Sequence, residues 1–145
     1  MDEQREAAVW KRVTAGPDHS ALESSGSLLR TSGELAAAYQ RLSSRLNGKS
    51  RILAQELLAE ERSVEAALRG IAVLSGQSGE QVKLWAPEIK NSRKLLEHCY
   101  HKTLLCHREF TARSLDPEFG GIFRLLSEQE IRQCLRIAQL LGQPG

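Results

Sequence analysis

The sequence predicts an all-α four-helix bundle on three observations. Only 5% of its 145 residues are aromatic while 22 are leucine. The wealth of Leu, Ala, Glu, Arg and Gln suits helices, whereas a sandwich or barrel draws on Val, Ile, Thr and Tyr. Apolar residues also recur at spacings of three and four along four long stretches, the mark of one buried helix face. Finally, those stretches pair across tight breaks into two hairpins, separated by about twelve less regular residues.

Residues 1–27 read as an N-terminal extension. Ala7, Val9, Trp10 and Val13 stand among charges and suit a short amphipathic helix. TAGPDHSALESSGS then reads as a linker or a frayed helix start. The bundle itself is expected over 28–145. Its first helix runs from Leu28 to Leu46, with Leu28, Leu35, Ala38, Leu42 and Leu46 inward, and Asn47-Gly48 stops it because both residues tolerate the left-handed conformation. Ser50 is placed to cap a second helix reaching about Ser75, and Gly76 ends it. Its seam is Ala54, Leu57, Glu61, Val64, Leu68 and Ile71.

Pro87 fits the first turn of a third helix, which runs to about Ser114. There the seam is Ser92, Leu96, Cys99, Thr103, Cys106 and Phe110. Asp116-Pro117-Glu118 signals the fourth start, with a cap, a first-turn proline and an acid near the positive helix end. The last seam is Phe119, Ile122, Leu126, Glu130, Gln133, Ile137 and Leu140, closed by Gly142.

Charge excludes some classes. The chain has 20 Lys and Arg against 18 Asp and Glu. The surplus is spread: residues 1–32 carry −1, residues 33–75 carry +1 and residues 76–145 carry +2. No basic block exists for a phosphate backbone, so no nucleic-acid partner is expected. Apolar runs such as Ile71 to Leu74 are far short of the roughly 20 residues that cross a bilayer, so no membrane partner is expected either. MDEQREAAVW lacks a signal peptide's apolar core, and three cysteines without CxxC spacing suit a reducing compartment. The expected location is cytoplasmic.

Two seams share an anomaly. Glu61 and Glu130 each sit mid-seam, followed three residues later by Val64 and Gln133. An ionised carboxylate in a bundle core is costly unless it is paired or metal-bound.

LLAEERSVEAALRGI, residues 57–71, and DPEFGGIFRLLSEQEIRQCLRIAQLLG, residues 116–142, together with the hairpins between them, resemble the ferritin-like superfamily and within it the small rubrerythrin-like proteins. The resemblance implies a ferritin-like antiparallel bundle. In members with a di-iron centre, the first and third helices each supply a Glu, and the second and fourth each supply a Glu-x-x-His. On that pattern Glu61 and Glu130 match the two motif acids, while Val64 and Gln133 replace both histidines. Glu34 lies 14 residues before Gly48 and Glu61 lies 13 after it, so antiparallel pairing sets them at similar depth. The third helix has no acid at Thr103 to Leu105, the matching depth, and Glu97 is about two turns away.

Carried over in this way, Glu34, Glu61, Glu130 and Gln133 are the candidate metal ligands. Valine cannot coordinate, and a Gln carbonyl is a weak ligand for iron beside imidazole. The expected function is therefore a rubrerythrin-like protein with a lost or incomplete di-iron centre and a binding or structural role, with a homodimer as one form. An atypical carboxylate-rich site for iron or another divalent metal, serving an oxidoreductase, is the alternative, and a helical adaptor is the third. Without a metal, Glu61 and Glu130 are expected to pair with Gln133, Thr103 or an arginine such as Arg41.

HCYHKTLLCH gathers His98, Cys99, His101, Cys106 and His107 on the third helix. At about 100° per residue they do not share one face, so the cysteines read as core residues and the histidines as solvated or interfacial. Cys134 should flank the fourth seam. No Gly-x-Ser-x-Gly elbow or P-loop occurs. Trp10 and Trp85 fall outside the four helices, where they suit bundle capping.

Overall fold

The computed structural model describes residues 19–76 and 88–142, and every regular element among them is an α-helix. The helices are α1 (His19–Arg45), α2 (Gly48–Leu74), α3 (Ser92–Arg113) and α4 (Gly120–Leu141). Trp10, Pro87, Trp85 and the expected N-terminal helix lie outside the described residues.

The first hairpin closes over a very short break. Asn47 is extended and Gly48 turns with φ +58, a conformation that a side chain would strain. Asn47, not Ser50, is thus the N-cap of α2, and it makes no side-chain cap bond. In α3 the cap is Asn91, whose Oδ1 accepts from the Lys94 amide at 2.9 Å. Helix α1 begins at His19, nine residues before Leu28, so helix extends through residues that the Gly, Pro and Ser content marked as linker.

The second hairpin keeps the expected chemistry with a shifted boundary. Asp116 Oδ1 accepts from the amides of Glu118 and Phe119, both at 2.8 Å, but these bonds hold a turn, and α4 starts only at Gly120. A Cβ on Gly120 would collide with the Ser114 carbonyl oxygen, which is backbone and cannot rotate away. Gly120→Ala should therefore cost about 1–3 kcal/mol, read as a lower urea midpoint with an unchanged slope. The exposed Gly121→Ala is its control, since nothing crowds that position.

Side-chain contacts give the helix directions. Arg45 near the end of α1 donates to the carbonyls of Ile89 (3.0 Å) and Lys90 (3.2 Å), just before α3. Arg93 at the start of α3 donates to the Leu141 carbonyl at the end of α4 (3.0 Å). Arg136 of α4 pairs with Glu56 (3.6 Å) and Glu60 of α2. Helices α1 and α3, like α2 and α4, are therefore antiparallel. The order is up, down, down, up, and α2 ends at the opposite end of the bundle from where α3 begins. The backbone of each helix packs against two neighbours, with α1 and α4 on one diagonal and α2 and α3 on the other.

The core follows the seams closely. All six seam residues of α2 are buried. In α3 five of six are, Ser92 being partly exposed. In α4 Ile122 is 40% exposed and Phe123 is buried in its place, stacked 6.1 Å from Phe110. Phe123, three residues before Leu126 where Ile122 is four, closes that end of the core with Phe119 packed against it. On α1 Leu28, Leu35, Ala38 and Leu42 are buried and Leu46 is half-buried, but Ser32 and Tyr39 join them.

Candidate functional site

Midway along the bundle the apolar seams give way to a polar layer fed by all four helices. Helix α1 contributes Ser32 and Tyr39, α2 Glu61, α3 Thr103, and α4 Glu130 and Gln133. Tyr39, Glu61, Thr103, Glu130 and Gln133 are wholly buried, and Ser32 is nearly so. Each lies on its helix's inward face: 28, 32, 35, 39 and 42 on α1 repeat the four-three spacing that carries Glu61 and Val64 on α2.

The hydrogen bonds in this layer have a definite direction. The Tyr39 hydroxyl donates to Gln133 Oε1 at 3.0 Å. That uses its only proton, so Thr103 Oγ1, also at 3.0 Å, must donate to Tyr39. Gln133 Nε2 donates in turn to Glu130 Oε2 at 3.3 Å. From the other side Ser32 Oγ donates to Glu61 Oε2. Both ends of the chain point their protons at the two carboxyls, which are near enough to influence each other electrostatically. Oε1 of Glu61 and Oε1 of Glu130 are buried with no donor.

Electrostatics agree with this arrangement. Burial pushes the Glu61 carboxyl up to about 7, against the opposing pull of hydrogen bonds from Ser32, Glu130 and Gln133. Burial, and then the neighbouring Glu61, raise Glu130 well above the ordinary carboxylate range. Tyr39 is raised as well, chiefly by burial, so its phenol stays protonated and remains a donor. The thiols of the layer are poor thiolates. Burial and then Glu61 raise Cys99 to about 12, burial and then Glu130 raise Cys134 to about 11, and Cys106 is raised by the same causes. All three are free and buried, as core residues should be.

The structure brings Glu61, Glu130 and Gln133 together and sets Glu34 apart. Glu34 is partly exposed in a small recess between α1 and α3 with Thr31, Leu35, Ala38, His98 and Lys102. Glu34 is only two residues from Ser32 in depth, but two residues are about 200° around a helix. Ser32 therefore meets Glu61 in place of Glu34. Thr103, at the depth where the third helix has no acid, bonds Tyr39 rather than a carboxylate.

As a metal site the layer fits poorly. Gln133 turns its NH2 toward Glu130, presenting protons where a ligand presents a lone pair, and its carbonyl is engaged by Tyr39. Among the described residues no three His, Cys, Asp or Glu side chains group as metal ligands.

The histidines of α3 sit outside this layer. His98 is held below its ordinary range by partial burial and by Lys102, against Glu34, and His101 is exposed beside Tyr100. His107 Nδ1 lies 3.0 Å from both the carbonyl and the hydroxyl of Ser127. A carbonyl contact requires that Nδ1 carry its proton, so His107 donates and is not a base for Ser127. Thr111, which donates to the His107 carbonyl (2.8 Å), accepts the Ser127 proton (2.7 Å). No nucleophile is activated there.

No family model, curated protein or solved structure matches the chain. No helix among the described residues is long and apolar enough to cross a membrane.

Proposed function

We propose that this chain is a ferritin-like, rubrerythrin-like protein that has given up its di-iron centre and serves a binding or structural role in the cytoplasm. One observation carries the reading: the Gln133 amide donates to Glu130 where the family pattern puts a ligating histidine. The up, down, down, up order of two hairpins supports the ferritin-like part, because that connectivity belongs to bundles with one long crossover. Ser32 and Tyr39 support the loss, since they replace a first-helix acid with neutral donors.

The alternative, an atypical carboxylate-rich centre for one divalent metal, has one observation in its favour: the two donorless oxygens of Glu61 and Glu130. Metal loading separates the readings. After anaerobic incubation with Fe(II), Mn(II) or Zn(II) and desalting, we expect well under one metal per chain and a Tm indifferent to chelator. A ligand held only by the folded state stabilises by mass action. One metal per chain with a chelator-sensitive Tm establishes the alternative, and two tightly bound irons with peroxide- or dioxygen-dependent turnover overturn the proposal outright.

A further inference from the structure

We propose that the outer face of α4 is a pairing surface for α4 of a second copy of this chain, packed antiparallel about a two-fold axis. The pairing gives the structural role proposed above a partner, but it rests on the outside of the bundle and not on the state of its core. Helix α4 carries two seams. One is the buried face already described. The other is Gly121, Leu125, Glu128, Arg132, Leu135 and Gln139, at alternating spacings of four and three, and all six are exposed. Leu125 is 61% exposed and Leu135 67%. A four-three repeat on an outward face is the pattern by which one helix fits along another. Beside Leu125 a groove of about 280 Å3 opens between α2 and α4, lined by Ser63, Ala67 and Ile122, with room for a leucine from outside.

The order of residues along the outer seam selects the partner. About the level of residue 130 the seam is self-complementary: 125 mirrors 135, 128 mirrors 132, and 121 mirrors 139. In an antiparallel pair related by a two-fold axis, mirrored positions meet and each contact occurs twice. Leucine then meets leucine, the Glu128 carboxylate meets the Arg132 guanidinium, and Gly121, with no side chain, leaves room for Gln139. A parallel pair would instead set Glu128 against Glu128 and Arg132 against Arg132, so charge favours the antiparallel arrangement. Both charges are available for it. Arg132 Nε is 3.7 Å from Glu60 Oε2, with half of the Arg132 side chain still exposed. Among the described residues Glu128 has no ion pair.

Sedimentation equilibrium of the full chain tests the surface. One helix pair is a small interface, so dissociation is expected at about 10–100 µM. Across that range the mass should rise from 16.1 kDa toward twice that value. E128R and R132E each set like charges together at two places, and each should raise the dissociation constant at least about tenfold. Mixed in equal amounts the two variants should pair again, since each then presents the charge the other lacks. L135K, at an exposed position that should leave helicity unchanged by circular dichroism, should also weaken pairing and serves if a charge variant fails to fold. A wild-type monomer at about 500 µM overturns the proposal, whether the face is bare or covered by the chain's own residues. So does a dimer that the variants leave intact, which uses another face, or a mixture that associates no better than its parts. Stoichiometric metal in the core would sink the functional reading and leave this measurement standing.

Discussion

Gln133→Leu should destabilise the bundle by about 3–5 kcal/mol although the replacement is apolar and similar in size. The amide is the junction of the polar layer: it accepts from Tyr39 and donates to Glu130. Leucine leaves Glu130 with no protein donor in the dry core and removes the acceptor of the Tyr39 proton, which must turn to Thr103 Oγ1 and displace that hydroxyl's own bond. One unsatisfied buried group costs about 1–3 kcal/mol, more when it carries charge. For a domain of this size that lowers Tm by at least about 10 °C. Urea denaturation followed by circular dichroism measures it, and the exposed Gln139→Leu is a control expected within about 0.5 kcal/mol of wild type. A Gln133→Leu protein as stable as wild type would mean that the layer is not energetically connected.

Stability should fall as pH rises from about 5 to 8, opposite to the trend that ordinary salt-bridged carboxylates impose. Glu61 binds its proton more tightly folded, with its carboxyl at about 7, than unfolded, near 4.5, and Glu130 is raised too. Between those values the native state holds more protons than the unfolded chain, so the slope of unfolding free energy with pH is negative. The contribution is fully present below the unfolded value and lost as pH rises through the folded one. A shift of this size corresponds to about 3 kcal/mol across the window. Glu130→Gln, which donates a hydrogen bond at every pH, should flatten the profile and exceed wild type in stability at pH 8. Urea midpoints at half-unit pH steps, in chelator, read both effects. A wild-type midpoint that climbs from pH 5 to 8 contradicts the expectation.

The sequence shows some of this arrangement and hides the rest for identifiable reasons. The α2 seam is legible to the last residue because Ala54, Leu57, Glu61, Val64, Leu68 and Ile71 keep a strict three-four spacing, and Ile52 and Val73, apolar residues off the seam, fall near the helix ends and stay exposed. Helix α1 was harder. Leu28, Leu35 and Leu42 mark its face, yet the residues that complete the four-three repeat, Ser32 and Tyr39, are polar and drop out of an apolar pattern. Polarity is the poorer guide where a core holds acids, because acids require donors. Helix α4 starts at Gly120 rather than at Asp116-Pro117 because a cap residue and a following proline describe a tight turn as well as a helix start. Neither the pairing of Glu61 with Ser32 nor the turning of the Gln133 amide could be read beforehand: both depend on rotation about a helix axis, and a sequence gives depth far better than angle.

The layout of the polar layer also bears on how the chain reaches its fold. Ser32 with Glu61 lies within the first hairpin, and Gln133 with Glu130 lies within one helix of the second. Tyr39 with Thr103, Tyr39 with Gln133, and the meeting of the two acids form only when the hairpins dock. Each half is local in sequence and quick to form, whereas docking joins residues 64 to 94 positions apart. Leucine faces tolerate sliding, since one leucine substitutes for another in a groove. The layer does not: docking displaced by one helical turn, about 5.4 Å, strands Glu61 opposite a hydrocarbon surface and leaves Tyr39 unmatched. Misaligned pairings are penalised before they can lock, and the buried acids act as the alignment key of the assembly.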